Sequence, residues 1–174
     1  MEIRKATAAD LAGAAAVYER VHDAEEAGLT HTGWLRGVYP TRATAEAALD
    51  AGELYVLEDE GRILAAMRVN AEQGEVYAKC PWSIPAEDDK VLVLHTLAVD
   101  PTCGKRGCGT AMVRFYEDLA RACGCTALRI DTGETNSRAR GLYAHLGFRE
   151  AGSFDCKFNG IEGIRLVCLE KGVG

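Results

Sequence analysis

One segment near the middle of the chain, from Val91 to Gly109, joins a run of apolar residues to a glycine-rich stretch and reads VLVLHTLAVDPTCGKRGCG. The apolar run predicts a buried strand over Val91–Val99, and the glycines predict a turn that leads into a helix near Gly107. The first turn of a helix leaves backbone N–H groups without partners, and these groups attract anions. The segment therefore predicts a strand, loop and helix that together hold a phosphate or pyrophosphate group.

The spacing of these glycines does not fit two common nucleotide-binding loops. A Walker loop requires Lys-Ser or Lys-Thr directly after its last glycine, whereas Lys105 precedes Gly107 and Gly109 here. A dinucleotide fingerprint requires the order G-x-G-x-x-G, whereas Gly104, Gly107 and Gly109 have the wider spacing first. We therefore expect that the loop binds neither ATP or GTP nor NAD.

A second motif lies downstream and has the pattern N-x-x-A-x-x-L-Y-x-x-L-G-F; its residues are Asn136, Ala139, Leu142, Tyr143, Leu146, Gly147 and Phe148. Together with Val99-Asp100-Pro101, Gly107 and Gly109, this motif resembles the GNAT superfamily of N-acyltransferases. Gly104 stands where that family usually has Gln or Arg, although Lys105 and Arg106 keep positive charge beside it. Residues 21–90 match the family loosely.

The resemblance implies a fold, a co-substrate and a reaction. The fold would be α/β, with a mixed, mostly antiparallel central sheet of six to seven strands flanked by about four helices, in one domain over residues 1–174. The reaction would move an acetyl group from acetyl-CoA to a primary amine by direct attack in a ternary complex. The residues expected to bind acetyl-CoA are Leu97, Ala98, Val99, Gly104, Lys105, Arg106, Gly107, Cys108, Gly109, Thr110 and Asn136.

Two residues are candidates for proton transfer. Tyr143 falls among apolar positions of a predicted helix and reads either as a core aromatic or, by the resemblance, as the acid that protonates the leaving thiolate. His95 alternates along its strand with Val91, Val93, Leu97 and Val99, so it reads either as a core histidine or as the general base. A bulge in this strand would upset that alternation.

Three aromatic residues, Trp34, Tyr39 and Trp82, lie in the loosely matched region that shapes the acceptor pocket in the resembling family. As a group they are candidates for holding a cationic amine, which would belong to a small molecule or a peptide.

Two other functions stay open. A non-catalytic acyl-CoA sensor would bind without turnover, and a thiol enzyme would use Cys103 or Cys108 at the helix start.

Composition narrows the class of protein. The 174 residues carry a formal net charge of −6, which argues against a nucleic-acid partner. Seven cysteines, an odd number without a secretory pattern in Met1–Asp10, predict free thiols in the cytoplasm. Cys123 and Cys125 lack a second pair, so we expect no metal, and the absence of a long apolar run predicts no membrane span. A homodimer remains open.

Periodicity and turn residues predict an alternating order of helices and strands. We expect an N-cap at Asp10, a short second helix within Asp23–Gly37, and a helix cap at Asn136 with a left-handed exit at Gly147. The remaining expected elements are a strand at Ile3–Lys5, a helix from Thr41 to Leu49, a hairpin of Leu54–Glu58 with Arg62–Asn70, a strand at Ala127–Thr132, and a closing pair of Ser153–Phe158 with Arg165–Glu170.

Overall fold

A central sheet organises the chain in a computed structural model that describes residues 1–104 and 106–174. Within these residues the strands are β1 (Glu2–Lys5), β2 (Leu54–Asp59), β3 (Arg62–Asn70), β4 (Val91–Val99), β5 (Ala127–Gly133), β6 (Arg149–Phe158) and β7 (Ile161–Gly172). The α-helices are α1 (Leu11–Glu26), α2 (Arg42–Asp50), α3 (Cys108–Ala122) and α4 (Ser137–His145). No helix in the described part of the chain is both long and apolar enough to cross a membrane.

The sheet has the strand order β1-β2-β3-β4-β5-β7-β6. Neighbouring strands are antiparallel except β4 and β5, which run parallel. Their pairing ends where Leu94 lies opposite Ile130, although β4 continues to Val99 and β5 to Gly133. The two strands therefore separate at their carboxyl ends and leave an opening in the middle of the sheet.

Helices cover both faces of the sheet, each through an apolar core. On one face Val17 of α1 and Ala45 of α2 pack with Ala66 and Ala98 of the sheet. On the other face Met112 and Tyr116 of α3 belong to a larger core that also contains Tyr143 and Phe148. The buried Tyr116 hydroxyl donates to the Leu92 carbonyl at 2.6 Å. The predicted mixed α/β fold, with seven strands and four helices, is confirmed.

The segment between α1 and α2 differs from the expectation, because no second helix forms within residues 23–37. Instead α1 continues to Glu26, and the Leu29 N–H donates back to the Ala24 carbonyl at 2.8 Å. Asp10 stands at the N-cap position of α1, as expected, although its carboxylate makes no hydrogen bond to the first turn of the helix. It accepts from the Thr7 N–H at 2.7 Å and pairs with Arg4 at 2.7 Å, which fixes the turn before the helix.

β4 contains a bulge, the irregularity that would upset the alternation along this strand. Arg68 lies opposite His95 and Ala66 lies opposite Ala98, so β4 holds one residue more than β3 over this stretch. Thr96 has a φ of 51°, a left-handed conformation that is strained for a β-branched residue. The bulge moves Leu97 and Val99 to the α3 face, so the expected single face shared with His95 is wrong beyond Thr96.

Candidate active site

The loop that follows β4 is anchored through the carboxylate of Asp100, which is fully buried. This carboxylate pairs with Arg20 and with Arg62, each at 2.7 Å, and accepts from the Thr102 N–H at 2.8 Å. The Asp-Pro pair therefore fixes where the chain leaves the strand. The expected contribution of Lys105 lies outside the described residues.

The start of α3 presents backbone amides to a groove. Gly107 caps the helix with a φ of 76°, a conformation that favours glycine, and the first turn begins at Cys108. The groove has a volume of about 420 Å³. The residues expected to bind acetyl-CoA that line it are Leu97, Ala98, Val99, Gly104, Gly107, Cys108, Gly109, Thr110 and Asn136. The helix start and the open edge of β4 thus face one space.

Gly109 allows this groove to stay open beside α4. A Cβ at this position would lie 3.2 Å from Leu142 Cδ2 and 3.8 Å from Val99 Cγ2. Arg138, at the start of α4, also lines the groove and supplies positive charge that the sequence reasoning missed. Asn136 caps α4, as expected, because its Oδ1 accepts from the Ala139 N–H at 3.1 Å.

A second cavity of about 400 Å³ opens where β4 and β5 separate. His95 of β4 and Asp131 of β5 both line it, and so do the expected aromatic residues Trp34 and Tyr39. The groove and the cavity share six lining residues, namely Thr32, Trp34, Leu97, Asn136, Ala139 and Tyr143. The two spaces therefore meet at one junction beside Tyr143.

Tyr143 is nearly buried, with 4% of its surface exposed, yet it lines both spaces. Burial, and secondly the charge of Asp131, raises the pKa of the Tyr143 phenol above its usual value. The phenol therefore stays protonated at neutral pH. It can donate a proton at the junction.

His95 is fixed by a polar network on one wall of the cavity. Its Nε2 lies 2.9 Å from Asn70 Oδ1, and the Asn70 amide donates to Glu53 Oε2 at 2.9 Å. Because the Asn70 oxygen can only accept, His95 donates from Nε2. Burial and the positive charge of Arg68 lower the pKa of His95, so its imidazole is neutral at neutral pH.

Asp131 is a cavity residue that the sequence reasoning missed. It follows Ile130, which pairs with Leu94, just as His95 follows Leu94 on the neighbouring strand. The signal in the sequence was one acidic residue near the end of an apolar strand, which is too common to interpret alone. The parallel pairing of the two strands brings this carboxylate into the cavity.

Glu25, near the end of α1, organises the loop that crosses the junction, and it was also missed. Its carboxylate accepts from the N–H groups of Thr32, at 2.8 Å, and Gly33, at 3.0 Å, and from the Thr30 hydroxyl at 2.8 Å. The loop packs so closely on β5 that a Cβ at Gly133 would lie 3.2 Å from the Thr32 carbonyl oxygen.

Three expected participants lie elsewhere. Arg106 pairs with Asp59 and does not line the groove. Trp82 lies outside both spaces, where its ring packs under the Arg129 guanidinium at 4.3 Å and its N–H donates to the Tyr77 carbonyl. Burial raises the pKa of Cys103 to about 11, opposite to what a nucleophilic thiol requires. All seven cysteines are free, as predicted.

Comparison with known proteins now identifies the family. The model of the Acetyltransferase (GNAT) family matches residues 14–148, which is most of the chain. This range includes the residues that line both the groove and the cavity where the two spaces meet. The chain belongs to the GNAT acetyltransferase family. Aminoglycoside N(6′)-acetyltransferase type 1 of Klebsiella aerogenes is similar, with 32% identity over 76 residues that cover 44% of this chain. The match spans 50% of the length of that curated relative and 34% of a second one.

Solved structures show the same GNAT fold over nearly the full chain. An N-acetyltransferase from Staphylococcus aureus Mu50 is 18% identical, covers 99% of this chain and 98% of its own, and has a TM-score of 0.74. YncA from Salmonella typhimurium, solved with its cofactor acetyl-CoA, is 17% identical, covers 99% of this chain and 94% of its own, and has a TM-score of 0.69. At these identities the likeness shows the fold.

Proposed function

We propose that this GNAT protein transfers an acetyl group from acetyl-CoA to a primary amine by direct attack in a ternary complex. The observation that carries the proposal is the junction at Tyr143, where a groove suited to an anionic cofactor meets a separate cavity. Two connected spaces allow both substrates to be bound at once, which direct transfer requires.

The groove residues fit the parts of acetyl-CoA. The pyrophosphate is placed at the amides of Gly107 to Thr110, where the α3 dipole and Arg138 favour negative charge. The pantetheine arm is placed along Leu97–Val99, because the β5 side of β4 has no paired strand there among the described residues. This placement brings the thioester to the junction.

The proton transfers are assigned to two side chains on different elements. Acetyl-CoA supplies the thioester carbonyl and the leaving thiolate. Neutral His95 takes a proton from the acceptor ammonium, directly or through a water that it orders, and the neutral amine then attacks the thioester carbonyl. Tyr143 donates its phenolic proton to the departing sulfur. The backbone amides of β4 face the carbonyl oxygen as its negative charge develops.

Ligand binding tests the first half of the proposal. Acetyl-CoA at about a hundred times its dissociation constant adds about 2.7 kcal/mol to the free energy of unfolding, so it should raise the melting temperature measurably. ATP and NAD should not. An amine panel read by release of coenzyme A then tests turnover. Binding with no release from any amine would instead indicate the acyl-CoA sensor.

Tyr143→Phe tests the acid role, because it keeps the ring and removes only the hydroxyl. We expect kcat to fall by about 10² to 10⁴ while acetyl-CoA affinity stays nearly unchanged. Tyr55→Phe is the control, since Tyr55 packs against Phe115 away from both spaces. Full turnover in Tyr143→Phe would mean that the thiolate leaves without this proton.

A further inference from the structure

Asp131 has a carboxylate with one hydrogen-bond donor and no cationic partner among the described residues. Its Oδ2 accepts from the Tyr77 hydroxyl at 2.8 Å. Burial raises the pKa of Asp131 to about 6, although the Tyr77 hydroxyl acts in the opposite direction. A carboxylate in protein surroundings without a countercharge is costly, and that cost is relieved by binding a cation.

The other charges that line the cavity do not supply that cation. Arg68 is the one arginine among its described lining residues, and it already pairs with Glu53 at 2.7 Å and Glu72 at 3.3 Å. Asp131 and Glu72 are the acidic lining residues, and His95 is neutral at neutral pH because its pKa is lowered. Among the described lining residues, the charged group without a partner of opposite charge is therefore the Asp131 carboxylate.

Aromatic rings form another part of the same cavity. Tyr39 makes edge contacts with Trp34 and with Phe158, each with ring centroids 5.9 Å apart, and all three residues line the space. The faces of such rings attract an alkyl or aryl ammonium more than a carboxylate, because the ring faces are negative and only the ring edges are positive. Charge and aromatic lining therefore favour the same kind of ligand.

We propose that Asp131 is the acceptor-binding carboxylate, which seats the ammonium group of an amine that carries no carboxylate beside it. The inference rests on the proposed function, because it defines the substrate class of that site. An amino acid would place its own carboxylate near Asp131 and Glu72, and Arg68 is already neutralised. A monoamine, a diamine or the amine of a peptide carries no such group.

Binding to the coenzyme A complex tests the proposal without requiring turnover. The probes are phenylalanine amide and phenylalanine, which differ only in that the first has an amide where the second has a carboxylate. Their affinities are measured by calorimetry. Wild-type protein saturated with coenzyme A should bind the amide at least about ten times more tightly than the acid. Equal affinities for the two probes, or no binding of the amide, would overturn the proposal.

Asp131→Asn removes the charge and keeps an oxygen that can accept from Tyr77. We expect it to weaken binding of the amide by about 10- to 100-fold, since hydrogen bonds to charged groups contribute more than neutral ones. Asp118→Asn makes the same substitution on the exposed side of α3, where Asp118 pairs with Arg121, and should leave affinity unchanged. Unchanged affinity in Asp131→Asn would exclude the carboxylate as the seat of the ammonium.

Release of coenzyme A from acetyl-CoA separates this inference from the proposed function. Amide binding that depends on Asp131, without release from any amine, would support the carboxylate site and contradict acetyl transfer. Release in wild type with equal KM in Asp131→Asn would support acetyl transfer and contradict the site. A fall in kcat with an unchanged KM would also contradict the site, since Asp131 would then act on a proton rather than on binding.

Discussion

The groove and the cavity that meet at Tyr143 present different parts of the chain to a ligand. The groove presents backbone: the amides of the α3 start, the open edge of β4, and glycines at positions 107 and 109. The cavity presents side chains, namely His95, Asp131 and the aromatic residues Trp34, Tyr39 and Phe158. A site built from backbone groups depends on the spacing of residues within one segment. A site built from side chains depends on which distant segments the fold brings together.

Under the proposed function, this difference would let a single chain combine a cofactor site common to the family with an acceptor site of its own. A pyrophosphate needs only amides and a helix start, which any side chains of suitable size can surround. In the proposed function the acceptor is recognised by its charge and shape, which would depend on particular side chains such as Asp131 and Tyr39. Changes on the two sides should therefore separate cofactor binding from acceptor binding.

The largest effect is expected from Gly109→Val on the backbone side. A branched side chain at this position would meet Leu142 and fill the approach to the first turn of α3. We expect acetyl-CoA binding, followed by calorimetry, to fall below detection while the circular dichroism spectrum stays native. Gly141→Val is the matched control, because a Cβ there meets nothing within 4 Å and Gly141 lines neither space. Normal acetyl-CoA affinity in Gly109→Val would show that the loop is wrongly assigned.

The same contrast decides how much could be predicted from the sequence. The cofactor loop and the Asn136 cap follow from local spacing, and the structure confirms the turn at Gly107 and the cap. Asp131 carries only a weak local signal, because its place in the cavity depends on the parallel pairing of β4 with β5, which α3 separates in sequence. The face of Leu97 was missed for a similar reason, since the bulge at Thr96 shifts the alternation.

The aromatic residues show the limit of composition as a guide. Trp34 and Tyr39 reach the cavity because the segment after α1 folds back over β5, fixed by Glu25. Trp82 belongs to a different loop and packs with Tyr77 and Arg129 instead. The three residues were equivalent in the sequence. Contacts between distant segments separate them in the fold.

A smaller effect is expected on the side-chain half, from His95→Gln. Glutamine keeps a donor for Asn70 but cannot take a proton, so kcat at neutral pH should fall by about 10², the lower end for loss of a general base. In wild type at saturating amine, kcat should decline as pH falls through the lowered pKa of His95, below its usual 6.5, because the imidazole becomes charged. Protonation of Asp131, whose pKa is raised to about 6, should weaken amine binding and so change KM, which is why the profile is measured at saturation. In His95→Gln this acidic limb should vanish, and activity should partly recover at high pH, where the amine loses its proton unaided.

The pH profile also distinguishes the two roles of this residue. If His95→Gln keeps the wild-type acidic limb, then His95 is part of the wall and the base is water or another group. Acetyl-CoA affinity should be equal in both proteins, because His95 lines the cavity and not the groove.

The smallest effect is expected from Glu25→Gln, because Glu25 holds the loop that lines both the groove and the cavity. Burial by itself would raise the pKa of Glu25, yet the hydrogen bonds from Thr32 and Gly33 lower it, so the charged carboxylate holds the loop. Its stabilisation is present above the usual carboxyl pKa and is lost as pH falls through the lowered one. We expect KM for amine and for acetyl-CoA to rise together by about 3- to 10-fold, since the loop lines both spaces. This rise corresponds to losing part of the free energy of one hydrogen bond to a charged group. Hydrogen exchange of the Thr32 and Gly33 amides should accelerate in parallel.

Glu26→Gln, one residue on, removes only an exposed pair with Arg36 and should change neither measurement. A rise in one KM alone would show that Glu25 serves one region, and that the two sides do not share this support.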